Sequence, residues 1–394
     1  MTDTITTDEI WSATCFMDPG CVFSPSNEND VADALGIIYD TQTTFSVVSG
    51  GHMPVPGAQS NDGGVLISMH QLNGRELNED QSVASLGPGQ RWIEVYDWLA
   101  ESGLAVAGGR YATVGVGGLI TGGGINYFAN RHGWSVSTLR GYQVVLGNGT
   151  VVEASATENP DLFWALKGGN NNYGIVTRVD MNTFPLTAAY GGFAMWNGTN
   201  ATTQLIQATE DFILSPEGIE EPDTEINPTI QVLPSESGPV YQGLCPPFVA
   251  GNWEGVPPSV ANFTRIPNPI VNTITQQSNW VDIPRGINDL ISQTGNGQRQ
   301  MFASVTSRIA PGIVQLAVDT LLHKAAEDLA SIEGVSVALS PEPISQTMLQ
   351  IAADSGEYAI DLDPEEGGFV SMWNLSLPSL LSTSLVEIDD KSLS

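Results

Sequence analysis

The sequence runs to 394 residues, enough for two domains with separate cores, and its 41% apolar content fits a globular chain. Only 13 Lys and Arg stand against 44 Asp and Glu, and the net charge of −31 repels phosphate backbones and anionic membranes, which speaks against nucleic acid as a partner. A phosphorylated cofactor has to be held mainly by main-chain N–H groups, for which 42 glycines supply the material.

The opening "MTDTITTDEIW" has neither a basic n-region nor an apolar h-region, so no secretory leader is expected in this chain. No apolar run approaches the roughly 18 residues of a membrane span, so no membrane partner is expected either. Cys15, Cys21 and Cys245 match no zinc spacing; Cys15 and Cys21 are read equally as a pair or as lone thiols. "PSNENDVADALGIIYDTQ" places Val31, Leu35 and Ile38 at helical spacing behind polar cap residues, predicting a helix from Asn27 to Asp40. "TFSVVSG" and "GVLISM" read as strands, and "RWIEVYDWLAESG" reads as an amphipathic helix with Gly103 as its left-handed cap. "YQVVLGNGTVVEA" is a hairpin turning at Gly147-Asn148-Gly149. Past Pro185 the chain becomes rich in Pro and Asn, which sets a domain boundary near Ala188. "PGIVQLAVDTLLHKAAEDLAS" predicts a helix starting at Pro311, with Ile313, Leu316, Ala317 and Leu321 on one face. The last stretch, from Ser371, begins as a strand and turns Ser- and Leu-rich, which reads as a frayed tail or a chain that stops early. Sequons at Asn148, Asn197, Asn200, Asn262 and Asn374 would accept glycans in a secreted chain.

Three glycine-rich segments stand apart: Ser49-Gly50-Gly51-His52, "GGRYATVGVGGLITGGGINYF" and "NPDLFWALKGGNNNYGIVT". Consecutive glycines permit positive φ and let amides approach a bulky anion, so three such loops in a Lys-poor chain point to an extended dinucleotide with a flat ring. "GVGGLITGGG" is not the Rossmann fingerprint, which follows a strand early in a βαβ unit with an acidic residue about 20 positions on. A turn histidine such as His52 is, by composition alone, more often a surface or hydrogen-bonded group. His70, His132 and His323 lack metal-ligand partners at short spacing, and no metal site is expected.

These three motifs, in this order, resemble the berberine-bridge-enzyme-like flavoproteins of the vanillyl-alcohol oxidase group, whose FAD-binding domain is called PCMH-type. The resemblance is continuous from Met17 to Pro185 and fades beyond, where "GEYAIDLDPEEG" still looks like the family's substrate domain. It implies an α+β fold: a PCMH-type FAD-binding domain over 17–188, then a substrate domain over 189–394 whose antiparallel sheet, with helices, roofs the flavin ring. It implies that His52 bonds to the 8α-carbon of FAD, with Ser49, Gly50, Gly51 and Met53 around it. Val114, Gly117, Gly118, Gly122 and Gly123 would line the flavin, and Gly174, Ile175 and Val176 would offer it backbone. Many members add a second link from the Cys of Cys-Pro-x-Val-Gly. Here the run is Tyr111-Ala112-Thr113-Val114-Gly115, so one tether is expected. Val114 falls where the family gates oxygen, and a small residue there implies an oxidase.

The implied activity is an FAD-dependent oxidase passing a hydride from an alcohol- or amine-type molecule, of the kind found in fungal secondary metabolism, to the flavin, with O2 reoxidation to hydrogen peroxide. The alternatives are a carbohydrate oxidase, a flavin-fold protein without turnover, and a redox-neutral cyclase. No catalytic base is marked by spacing, and nothing after Asn374 matches the family's closing Tyr-x-Asn segment.

Overall fold

The computed structural model describes residues 10–233, 238–294, 298–332, 334–356, 359–360 and 362–377. Phe45–Val48 and Cys21–Phe23 flank Val65–Ser68 in a three-stranded parallel sheet. Helix Glu28–Thr41 covers it, and the expected stripe of Val31, Leu35 and Ile38 is buried in one cluster with Ile67, Met69 and Val145. The Asn27 side-chain oxygen caps this helix, accepting from the Asn29 and Asp30 amides at 2.9 and 3.0 Å. Glu28 and Asp30 then sit at the positive end of its dipole.

A five-stranded antiparallel sheet runs Arg75–Leu77, Val83–Leu86, Ile175–Asn182, Leu139–Val145, Val151–Ser155. Its last pair is the expected hairpin, with Val144 opposite Val152; Gly149 supplies the left-handed turn residue at φ 80°. Helix Trp92–Ala100 buries Trp92, Val95, Tyr96 and Leu99, and the chain leaves it through Gly103 at φ 68°.

Beyond Ala188 a seven-stranded sheet takes the order Val271–Asn272, Ala194–Asn197, Val240–Cys245, Thr229–Leu233, Val337–Ile344, Phe369–Leu377, Arg299–Arg308. A four-stranded sheet, of Thr224–Glu225, Phe248–Ala250, Ala189–Gly191 and Thr275–Gln277, lies beside it. The two halves meet along an aromatic seam. Tyr96 packs edge-on to Trp280 at 4.7 Å between centroids, and Tyr127 stacks on Phe248 at 4.4 Å. This is an α+β chain of helices and predominantly antiparallel sheets, and no described helix is long and apolar enough to cross a membrane. Cys15, Cys21 and Cys245 are all free thiols, so Cys15 and Cys21 do not pair. The N-terminal residues 1–9 and the Ser- and Leu-rich tail after 377 lie outside the described residues.

The helix expected from Pro311 differs in two ways. Pro311 stands one residue before its cap, Gly312, and Glu210 accepts from the amides of Gly312, Val314 and Gln315. The buried face is Val314, Ala317, Val318, Leu322 and Ala326, whereas Leu316 and Leu321 are 55% and 41% exposed. The segment carries apolar neighbours at Ile313-Val314, Ala317-Val318 and Leu321-Leu322, so two adjacent stripes satisfy the same period. A π-turn over Val318–Leu322 sits in the middle of it. Leu322→Ala is expected to cost about 2–5 kcal/mol and Leu321→Ala no more than about 0.5 kcal/mol, read from urea unfolding midpoints; equal costs would contradict this face assignment.

Candidate active site

A cavity of about 1050 Å³ lies between the glycine segments and the seven-stranded sheet. His52, Val114, Gly118 and Gly122 border it on one side; Thr229, Gln231, Gln242 and Ser340, projecting from neighbouring strands, border it on the other. The roof thus offers uncharged hydroxyl and amide groups, and Thr229 and Ser340 share a hydrogen bond of 2.8 Å between their hydroxyls.

Strand Phe45–Val48 delivers the chain into Ser49-Gly50-Gly51-His52. A Cβ built on Gly50 would fall 2.2 Å from Gly115 N, and one on Gly115 would fall 2.3 Å from Gly50 N, so the two glycine segments touch backbone to backbone. Gly51 turns the chain at φ 72°. Ser49 Oγ donates to Pro88 O at 2.5 Å, and the Gly51 carbonyl accepts from Gln59 Nε2 and from the Trp11 amide, both at 3.0 Å.

The result is a fixed imidazole, partly open to the cavity and otherwise enclosed. His52 Nε2 lies 2.8 Å from Thr113 Oγ1, and the Trp11 ring stacks on it at 5.4 Å and 13°. Its Nδ1 has no hydrogen-bond partner among the described residues. Burial, and then the positive charge of Arg91, push its protonation down to about 3, so the ring is neutral at physiological pH.

A polar network that spacing did not reveal crosses the cavity wall. Arg110 Nη1 pairs with Glu225 and reaches Glu342 Oε1 at 2.9 Å, and its Nη2 reaches Glu342 Oε2 at 2.7 Å. Asn227 Nδ2 donates to Glu342 Oε2 at 2.8 Å, and the Tyr111 hydroxyl donates to Asn227 Oδ1 at 2.9 Å. Burial works against the Arg110 charge, but the two carboxylates outweigh it and hold the guanidinium protonated. Burial pushes Tyr111 up to about 12, keeping it a neutral phenol. Glu225 is pushed up to about 7 by burial, which outweighs the pull of Arg110.

Four of the expected site residues, His52, Val114, Gly118 and Gly122, border the cavity. Ser49, Gly50, Gly51 and Gly117 lie behind them as the backbone support: Ser49 Oγ would be 3.1 Å from a Cβ on Gly117. Met53 is half-exposed beside the loop, its amide donating to Gln59 Oε1 at 3.2 Å. Gly123, at φ 109°, packs under Ile360, which borders the cavity. Gly174 packs against Val144 and Val145, and the Ile175 and Val176 side chains are buried in the cores; none of the three is on the cavity wall. Arg110, Asn227, Glu225 and Glu342 were not singled out in sequence, because their partners are 115 to 232 residues apart.

FAD fits this donor set: a cleft with two bare glycine segments, no side chain within 4 Å of where Gly118 would carry a Cβ, and an imidazole with one nitrogen unengaged. The two shifted acids and bases have opposite linkage. Stability from Glu225 is present below about 4.5 and lost as pH rises through about 7, whereas that from neutral His52 is present above about 6.5 and lost as pH falls towards about 3. In the flavin-free chain, Glu225→Gln is expected to gain stability relative to the parent as pH rises, and His52→Gln to gain it as pH falls. Thermal melts across this range check both signs, and parallel curves would contradict them.

A family model described as an FAD binding domain matches residues 19–155. The FAD-dependent monooxygenase prx3 of Penicillium roqueforti is 34% identical over 368 residues, which make up 92% of this chain and 71% of that protein. Among solved structures, BBE-like 1 of Physcomitrella patens aligns with a TM-score of 0.70 at 18% identity, covering 92% of this chain and 77% of that one. Glucooligosaccharide oxidase of Acremonium strictum, described with a 6-S-cysteinyl, 8α-N1-histidyl FAD, aligns at 0.69 and 19% identity over 94% of this chain and 77% of its own. The sequence match carries the kinship and the structures carry the fold: the chain belongs to the FAD-linked oxidoreductases, with the PCMH-type FAD-binding fold seen in the berberine-bridge-enzyme-like structure.

Proposed function

We propose that this FAD-linked oxidoreductase is an oxidase with a single covalent tether, from His52 to the 8α-carbon of its flavin, acting on an alcohol- or amine-type small molecule. The observation that carries this reading is His52 itself: neutral, held at the cavity edge by Thr113 and Trp11, with Nδ1 unengaged. The Acremonium oxidase is described with a histidyl link through the nitrogen named N1, together with a cysteinyl one. In this chain the cysteine position is Tyr111, whose hydroxyl is committed to Asn227, so one bond remains.

When bound, FAD supplies the two-electron acceptor for a substrate C–H bond. Residues 17–188 are read as the cofactor half and 189–394 as the substrate half, which agrees with the change of sheets at Ala188. The Tyr111 phenol keeps its proton and spends it on Asn227, so its oxygen is left to accept from a substrate OH or NH. Glu342 accepts from three donors on Arg110 and Asn227, which ties it to the ion pair rather than leaving it a free base. It orients Asn227 instead. The neutral roof suits an uncharged molecule bearing hydroxyls or carbonyls, and secondary metabolites of that kind fit better than an anionic substrate beneath a chain of net charge −31.

A second reading, insertion of one oxygen atom, is favoured by the name of the Penicillium relative. The oxidase reading expects one hydrogen peroxide released per substrate oxidised and no label in the product under 18O2. Label in the product with sub-stoichiometric peroxide would overturn it and favour insertion. His52→Ala is expected to hold only dissociable flavin, with no yellow colour in the acid-precipitated pellet; acid-stable flavin in that variant would contradict the tether.

A further inference from the structure

Thr113 sits in a tight turn whose position is fixed from both sides. Val114 N donates to Tyr111 O at 3.1 Å, and the first amides of helix Trp92–Ala100 close on the turn, Trp92 N to Val114 O at 3.0 Å and Ile93 N to Ala112 O at 3.1 Å. Arg91 Nη1 adds a bond to the Thr113 carbonyl at 2.7 Å. The hydroxyl is thereby held 2.8 Å from His52 Nε2. Across the ring, Trp11 lies nearly parallel to the imidazole and leans on Phe302 at 5.3 Å. The Trp11 segment is itself anchored, with Ser12 Oγ donating to Gln300 O at 3.1 Å and accepting from Gln300 N at 3.0 Å.

We infer that Thr113 is the positioning residue for the covalent link: its Oγ1 accepts the proton of Nε2, fixes the His52 tautomer, and leaves the Nδ1 lone pair as the nucleophile towards the flavin. A neutral imidazole carries one N–H, and which nitrogen has it is set by the hydrogen bond the other makes. The inference rests on the covalent reading above. In the linking step a bond forms between Nδ1 and the 8α-carbon, and that carbon gives up one C–H proton. The Nε2 proton leaves the ring, and the two electrons pass to dioxygen, the oxidant of the proposed reaction, which takes up both protons as hydrogen peroxide. Afterwards Nε2 is a bare acceptor. A hydroxyl serves both stages, accepting before the step and donating after it, and a methyl group serves neither.

The test adds FAD to the full chain prepared free of flavin, and follows two quantities: total bound flavin, and flavin that stays with acid-precipitated protein. Thr113→Val, which keeps the shape, is expected to capture FAD as the parent does but to link it about tenfold more slowly or worse, the cost of one lost hydrogen bond to the reacting ring. Thr113→Ser is expected to restore the rate. Linking by Thr113→Val at the parental rate would overturn the inference, as would failure of Thr113→Val to capture FAD while Thr113→Ser behaves the same way. Absence of acid-stable flavin in the parent chain is a different result: it removes the covalent reading, and this assignment with it.

Discussion

Where Gly50 meets Gly115, two stretches of main chain lie closer than any side chain allows, each hypothetical Cβ falling within 2.3 Å of the other's amide. That contact aligns the Ser49–His52 loop with the Tyr111–Gly115 turn, and so decides that His52 faces Thr113 and that Tyr111 faces the roof. Neither alignment is available to a chain with alanine at either position without moving backbone. The glycines here therefore act first on each other. Their service to the cofactor follows, because the same close approach leaves a cleft with a bare floor at Gly118 and Gly122.

The scarcity of basic groups sharpens the role of Arg110. Among 13 Lys and Arg, this one is withdrawn from solvent and shared between Glu225 and Glu342, and with them it joins the glycine segment to both sheets of the second half. Such a buried network contributes little net stability over an apolar substitute but penalises loss of a single member heavily, so it fixes arrangement more than strength. Its consequence at the cavity is a wall in which Arg110 and Glu342 are paired within the network rather than offered to a ligand. What remains to meet a substrate is uncharged: the Tyr111 oxygen and the hydroxyls and amides of the roof strands.

Local chemistry made much of the first half legible. The Asn27 cap, the apolar stripe behind it, and the Gly147-Asn148-Gly149 turn each state their structure within a few residues, and each appears where expected. The helix after Gly312 shows the limit: doublets of apolar residues satisfy two faces, and tertiary packing, including the Glu210 cap, selected the one that periodicity alone did not. At the site, His52 and Val114 were marked by motif and do border the cavity, whereas Gly174 to Val176 carry the same kind of mark and are packed in strand and core. The Arg110 network and the Trp11 stack were beyond reach, since contacts between residues far apart in sequence leave no spacing to read.

The central proposal is that one histidine, positioned by a glycine contact, is the only covalent anchor of the flavin. Its most direct test is mass spectrometry of proteolytic peptides from the denatured, flavin-loaded protein, with fragmentation to locate the modified residue. The account predicts a single flavin-bearing peptide, spanning Phe45 to Gly57, with the modification on His52. An unmodified peptide there, or a flavin carried by the peptide that contains Tyr111, would contradict it.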